Sequence, residues 1–176
     1  MDSIFIRIPH ELSQTAESSR FEGEVELGPF TQGTDVYVFD EPVRYCLDLT
    51  NTSGALLATG TVEGVAHTAC ARCLEEASVP VSGEMEGYYL LPDSDRELSE
   101  EDQEEYQVLA DSSKMDIAPL ISAAISLDLP LVPLCREDCE GLCARCGANL
   151  NEGPCPCQDE PDDDNPFAVL KNIKFD

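Results

Sequence analysis

Six cysteines fall between Cys135 and Cys157 in the pattern C-x3-C-x3-C-x2-C-x8-C-x-C, and a further pair, Cys70-Ala71-Arg72-Cys73, lies far upstream. Eight thiols are enough for two closed tetrahedral zinc sites. Zinc prefers thiolates in a tetrahedron, and C-x2-C lets one tight turn present two sulfurs to one ion. Cys143-Ala144-Arg145-Cys146-Gly147 reads as a zinc knuckle, since glycine after the second cysteine accepts the positive φ that turns backbone N–H groups toward sulfur. Cys155-Pro156-Cys157 can close that site, giving Cys143, Cys146, Cys155 and Cys157 as one set. Cys70, Cys73, Cys135 and Cys139 then form a second set that ties upstream strands to the C-terminal region. The spacing leaves the partition open, because Cys135 or Cys139 can trade places with Cys155 or Cys157. His67, three residues before Cys70, can also replace a sulfur, although a histidine at a strand end is more often an ordinary polar residue. Cys46 is given no role.

The competing chemistry is thiol redox at Cys70 and Cys73. A redox C-x-x-C is expected to open a helix in a βαβ unit, whereas this pair sits between two expected strands. Other catalysis finds little to stand on. There are two histidines, His10 and His67, and no H-E-x-x-H, phosphate-cradling glycine loop or G-x-S-x-G elbow. Four-sulfur zinc sites leave no open position for water, so the expectation is a protein that is not an enzyme.

The chain has 176 residues and a formal net charge of −26, from 36 acids against 10 bases. Two zinc ions on eight thiolates would add about four more negative charges. Affinity for nucleic acid rests on Lys and Arg displacing counterions, and here the bases are scattered, with Lys171 and Lys174 close together near the C-terminus. Broad RNA binding is disfavoured, and a basic protein partner fits better; the plainer account is a soluble protein from an acidic proteome. Direct RNA recognition would have to use the Cys-rich module, where Arg136 and Arg145 stand. Residues Met1 to Arg7 carry neither a basic leader nor a long apolar run, and no segment reaches the ~20 apolar residues of a membrane helix. The expected location is cytoplasmic, a reducing compartment that moves cysteines from disulfides toward metal. The sequon at Asn51 is then chance.

The elements that must position these thiols read as strands first. In Val43–Leu49, Val43, Tyr45, Leu47 and Leu49 share one face by period-two alternation. The turn Asn51-Thr52-Ser53-Gly54 leads into a second strand, Ala55 to His67, with Leu56, Ala58, Val62 and Ala66 on one side. A third follows Cys73, with Val79, Val81, Met85 and Tyr89 alternating against Ser78, Ser82, Glu84 and Glu86. The connections are too short for helical crossovers, so the sheet is expected to be antiparallel. Between Glu84 and Glu105 stand ten acids and one base, Arg96, an acidic loop at about 92–105. Asp116 to Leu127 reads as a helix capped by Asp116, with Pro119 in its first turn and an apolar stripe of Ile117, Leu120, Ile121, Ala124 and Leu127. Leu129-Pro130-Leu131-Val132-Pro133-Leu134 is a stiff connector to Cys135. The expected class is α+β: an antiparallel β-rich domain with one packed helix (1–134), a C-terminal Cys-rich zinc-binding module (135–158), and an acidic linker with an apolar tail (159–176). In the tail, Phe167, Leu170 and Ile173 have helical spacing and can dock on their own domain or on a partner.

Several landmarks together resemble one family. They are Cys70-Ala71-Arg72-Cys73-Leu74 after a strand, the Leu129-to-Pro133 run, Gly141-Leu142-Cys143-Ala144-Arg145-Cys146-Gly147-Ala148-Asn149-Leu150-Asn151, and Asn165-Pro166-Phe167-Ala168-Val169-Leu170. The chain resembles the YceD-like family, the large ribosomal RNA subunit accumulation proteins, in specific motifs over its C-terminal two thirds and in strand pattern before that. The resemblance implies a non-enzymatic, cytoplasmic ribosome biogenesis factor that supports 23S rRNA accumulation or processing and large-subunit assembly. Joined to the charge, it points to a basic ribosomal protein or a pre-50S particle as partner. The alternative from another class is a thiol redox protein using Cys70 and Cys73. Some family members have fewer cysteines beyond the Leu-Pro run, so the resemblance does not itself extend to a second metal site at Cys143 to Cys157.

Overall fold

The structure, a computed structural model, describes residues 3–92 and 106–159. Nearly all of the expected acidic loop, residues 93–105, and the linker and apolar tail from residue 160 onward lie outside the described residues. Within them the chain forms β1 (Phe5–Arg7), β2 (Ser18–Val25), β3 (Phe30–Gln32), β4 (Asp35–Tyr37), β5 (Val43–Asn51), β6 (Ala55–Ala69), β7 (Glu76–Leu90), β8 (Tyr106–Val108), β9 (Lys114–Asp116) and α1 (Ala118–Asp128). Short 3-10 turns stand at His10–Ser13, Leu150–Glu152 and Pro156–Asp159.

The main sheet has the order β2-β5-β6-β7-β8, and β1–β9 and β3–β4 form two small antiparallel pairs beside it. The first four strands of the main sheet are antiparallel, but β8 lies parallel to β7, with Tyr89 opposite Gln107. The expectation of a wholly antiparallel sheet is therefore corrected to a mixed one. A parallel neighbour needs a longer connection than a hairpin, and residues 91–105 supply it.

Alternation along the strands builds the core. Leu47 and Leu49 on β5, Leu56, Ala58, Val62 and Ala66 on β6, and Val79, Val81, Met85 and Tyr89 on β7 are all buried on one side of the sheet. Ser82, Glu84 and Glu86 on β7 point the other way and are exposed. That alternation is the mark of a sheet with one covered and one wet face.

The cover is α1, through Leu120, Ile121, Ala124 and Ile125. Leu127, expected to continue the apolar stripe, is 86% exposed, and Ile125 takes its place. The helix starts at Ala118 rather than Asp116, yet the Asp116 carboxylate still serves its first turn: Oδ1 accepts from the backbone N–H of Ala118 at 3.0 Å and of Ile4 at 2.9 Å. At the other end, the Asp128 carboxylate accepts from the Ser82 backbone N–H at 2.7 Å, pinning α1 to β7. Pro130 ends the helix, and the Pro130 carbonyl accepts from the buried Tyr37 hydroxyl at 3.2 Å. Asn51 is also buried. Its Nδ2 donates to the Leu12 carbonyl at 2.7 Å and its Oδ1 accepts from the Gly54 N–H, so the sequon asparagine is a turn-forming core residue.

The helix lies so close to β7 that a Cβ at Gly83 would come 2.5 Å from the Ala124 carbonyl oxygen. Gly83→Ala is expected to lower unfolding stability by about 1–3 kcal/mol, as overpacking does. Gly28→Ala, where a Cβ meets nothing, should stay within about 0.5 kcal/mol of wild type in the same denaturant melt. Asp116 sets an acid limb. Burial raises its carboxyl, but the N–H groups of Ile4 and Ala118 outweigh burial and hold it below the ordinary carboxylate range. A depressed carboxylate contributes fully above its unfolded value of about 3.9 and loses its contribution as pH falls through the folded value. Asp116→Asn should therefore be less stable than wild type at neutral pH, with the gap closing below about pH 4.

Candidate metal centres

The sequence Cys-Ala-Arg-Cys occurs twice, and both copies fold into the same turn. In the first, the Cys70 N–H donates to the Glu75 carbonyl at 2.7 Å and the Leu74 N–H to the Cys70 carbonyl at 2.9 Å. In the second, the Cys143 N–H donates to the Ala148 carbonyl at 2.8 Å and the Gly147 N–H to the Cys143 carbonyl at 2.9 Å. The residue after the second cysteine takes a positive φ in each, +64° at Leu74 and +73° at Gly147. One knuckle uses glycine for this; the other holds an exposed leucine in the left-handed region, which costs an L-residue roughly 1–2 kcal/mol.

The first knuckle is the tip of the β6–β7 hairpin, whose last pair is Ala69 with Glu76. The connector after α1 runs past it, and the Ala71 N–H donates to the Pro133 carbonyl at 2.8 Å. That contact delivers Cys135 and Cys139, and Arg72 Nη1 donates to the Cys139 carbonyl at 2.8 Å. Cys70 Sγ then lies 3.8 Å from Cys139 Sγ, and Cys73 Sγ 3.6 Å from Cys135 Sγ. Cys143, Cys146, Cys155 and Cys157 form the other group, and within each group all four sulfurs lie within 4.8 Å of one another. The structure thus brings the eight thiols into two sets of four, with no exchange of Cys135 or Cys139 for Cys155 or Cys157. The first set is mostly buried; in the second only Cys155 is buried and Cys146 is exposed.

Both sets fit a tetrahedral cation. An ion about 2.3 Å from each sulfur places the sulfurs about 3.8 Å apart; Cys70–Cys139 and Cys73–Cys135 stand at 3.8 and 3.6 Å, and the sulfurs of the second set lie within 4.8 Å of one another. The acidities tell the same story. Burial pushes the Cys70 thiol up, but the backbone N–H groups of Cys73, Cys135 and Arg72 outweigh it and bring it to about 6. The Asn151 amide lowers Cys139. Burial and the neighbouring sulfurs push Cys135 up to about 12. At Cys73 the Glu75 N–H lowers the thiol, but burial and the Cys70 sulfur prevail and raise it. In the second set the N–H groups of Cys146 and Arg145 bring Cys143 to about 6, the Cys143 sulfur raises Cys155, and the Cys146 sulfur raises Cys157 to about 12. Like charges this close cannot all ionise unaided, so a full set of thiolates requires a positive centre.

His67 takes no part in either set. Its Nδ1 lies 3.2 Å from the Ser78 hydroxyl, and Asp40 and Glu76 flank the ring at 3.7 and 3.8 Å. Cys46 is on the wet face, its sulfur 3.8 Å from Glu22 Oε1. Sequence reasoning passed over Asn149 and Asn151, whose amides join the two sets; the doubled Cys-Ala-Arg-Cys was the available sign of paired turns.

A family model described as "Large ribosomal RNA subunit accumulation protein YceD" matches residues 58–174, from within β6 through both sulfur sets. The chain belongs to the YceD family. Uncharacterized proteins of Mycobacterium tuberculosis and Mycobacterium bovis are each 33% identical to it over 128 residues, 72% of this chain and 61% of theirs. The chain therefore spans about three fifths of the length of these relatives. A maize protein named large ribosomal RNA subunit accumulation protein YCED homolog 1, chloroplastic, is 28% identical over 145 residues, 66% of this chain and 49% of that one. No solved structure matches. Among the described residues of this YceD chain, no helix is long and apolar enough to cross a membrane.

The paired knuckles make a test of the backbone. Leu74→Gly relieves the left-handed leucine and should raise stability by about 0.5–1 kcal/mol, since added freedom of the unfolded chain offsets part of the gain. Gly147→Ala should lower it by about 1–2 kcal/mol. Chemical denaturation of both variants alongside wild type reads the two signs.

Proposed function

We propose that this YceD-family chain is a non-enzymatic ribosome biogenesis factor of the cytoplasm, supporting 23S rRNA accumulation or processing and large-subunit assembly. It does so by engaging a basic ribosomal protein or a pre-50S particle. The observation that carries this reading is the family match over residues 58–174, whose description is large ribosomal RNA subunit accumulation. Charge supports a basic protein partner over bare RNA. The chain is −26 overall, and the wet face of the sheet carries exposed Glu22, Glu24, Glu63, Glu84 and Glu86 around Arg20 and Arg44. Arg136, a candidate for direct RNA contact, is engaged by the Asn151 side chain at 2.7 Å and by Asp138 at 3.3 Å.

Zinc completes the proposal as structure. Cys70, Cys73, Cys135 and Cys139 would hold one ion, and Cys143, Cys146, Cys155 and Cys157 the other. Zinc there supplies cross-links in place of a larger apolar core, and the first links the sheet domain (1–134) to the Cys-rich module (135–158). Structural zinc is worth roughly 10–16 kcal/mol of apparent binding energy in small peptides, so losing the first set should free the module from the hairpin tip. The redox alternative at Cys70 and Cys73 draws less support, because each of these sulfurs has a close neighbour, at 3.8 and 3.6 Å, in the 135–139 segment.

The test is the ratio of 23S to 16S rRNA, with precursor ends mapped, in cells depleted of the protein and re-supplied with wild type or Cys70→Ser. A selective fall of 23S on depletion, restored by wild type and not by Cys70→Ser, is the expected result. An unchanged ratio on depletion overturns the ribosomal reading.

A further inference from the structure

The two sulfur sets share a hydrogen-bonded bridge. Asn151 belongs to the eight-residue loop between Cys146 and Cys155, whose two flanking residues are cysteines of the second set. Yet its Nδ2 donates to the Sγ of Cys139, in the first set, at 3.5 Å. Its Oδ1 accepts from the Glu140 backbone N–H at 2.9 Å and from Arg136 Nη2 at 2.7 Å, on either side of Cys139. Asn149 aims it: Asn149 Oδ1 accepts from the Asn151 backbone N–H at 3.0 Å and from Asn151 Nδ2 at 2.8 Å. Asn149 Nδ2 in turn donates to Glu75 Oε1 at 2.9 Å, beside the first knuckle. The loop backbone is held as well, since the Leu150 N–H donates to the Gly141 carbonyl at 2.9 Å.

We propose that Asn151 couples the two metal sites: it is a positioning residue for the Cys70–Cys73–Cys135–Cys139 site, carried on a loop whose two ends are anchored at cysteines of the second site. The proposal rests on the metal-binding reading above. Donation to a ligand sulfur steadies the thiolate and fixes its direction, and losing such an outer partner typically weakens metal binding about 10- to 100-fold. With the second site empty, the 147–154 loop keeps its hydrogen bonds to Gly141 and Glu75 but loses the closure at its ends, and the first site bears more of the entropy of holding Asn151 against Cys139. Coupling of this kind is reciprocal, so filling the first site also tightens the second. The second site, with Cys146 exposed, is the one that solvent and chelators reach first.

The experiment titrates the reduced, metal-free full chain with zinc against a chromophoric chelator. The variants are Cys146→Ser with Cys157→Ser, which breaks the second site; Asn151→Asp, which keeps the acceptor for Glu140 and Arg136 but removes the donor to sulfur; and the combination. Wild type should bind two zincs. Breaking the second site should weaken the first about 10- to 100-fold, Asn151→Asp should weaken it by a similar factor, and the combination should lose no more than either alone. Cobalt(II) in the first site supplies a readout that simple unfolding does not move, because its thiolate charge-transfer band should shift to lower energy in Asn151→Asp while the site stays tetrahedral. Two zincs bound with a first-site affinity that ignores the state of the second site, or losses that add in the combination, overturn the coupling alone. A chain that takes up no zinc overturns the metal reading and the coupling with it.

Discussion

Four sulfurs crowded at the tip of the β6–β7 hairpin are the constraint around which the rest of the molecule is arranged. Thiols 3.6 to 3.8 Å apart resist ionising together, and their acidities divide, with Cys70 and Cys139 lowered while Cys73 and Cys135 are raised. A cation among them would let all four ionise together, and four thiolates around one ion would tie two distant stretches of chain. The length of β6 and β7, 15 residues each, carries the tip beyond the region covered by β5. The Leu-Pro connector then brings Cys135 and Cys139 to it. Hairpin, helix and connector together form a frame for that meeting.

The frame divides its two faces sharply. One side of the sheet is packed by α1, closely enough at Gly83 that no side chain fits. The other side is wet and largely acidic. Charge on such a face bears on how any partner approaches it, since electrostatic complementarity steers encounter and excludes wrong partners.

Much of the frame could be read in the residues. The alternation in β5, β6 and β7 marked the buried face, and Asp116 marked the helix start within two residues. What escaped reading was decided by neighbours in space. Leu127 and Ile125 both suit a helical stripe, and the register of α1 on β7, with Asp128 held by Ser82, turned one inward and the other to solvent. The parallel pairing of β8 carries no local mark, because three residues alternate alike in either direction. At the sulfur sites, the spacing of the cysteines favoured the grouping that the structure shows, but it left open an exchange of Cys135 or Cys139 for Cys155 or Cys157.

The sequence by itself determined the local geometry: where strands alternate, where the two Cys-Ala-Arg-Cys knuckles turn, and that eight thiols come in numbers suited to two cations. These follow from short-range rules of period, turn chemistry and ligand spacing. Tertiary structure alone decided that no cysteines are exchanged between the two sets, which helix face is covered, and that Asn151 of one loop reaches a cysteine of the other. Such contacts join residues far apart along the chain, and their energies exist only once the sheet and connector have brought them within a few ångströms.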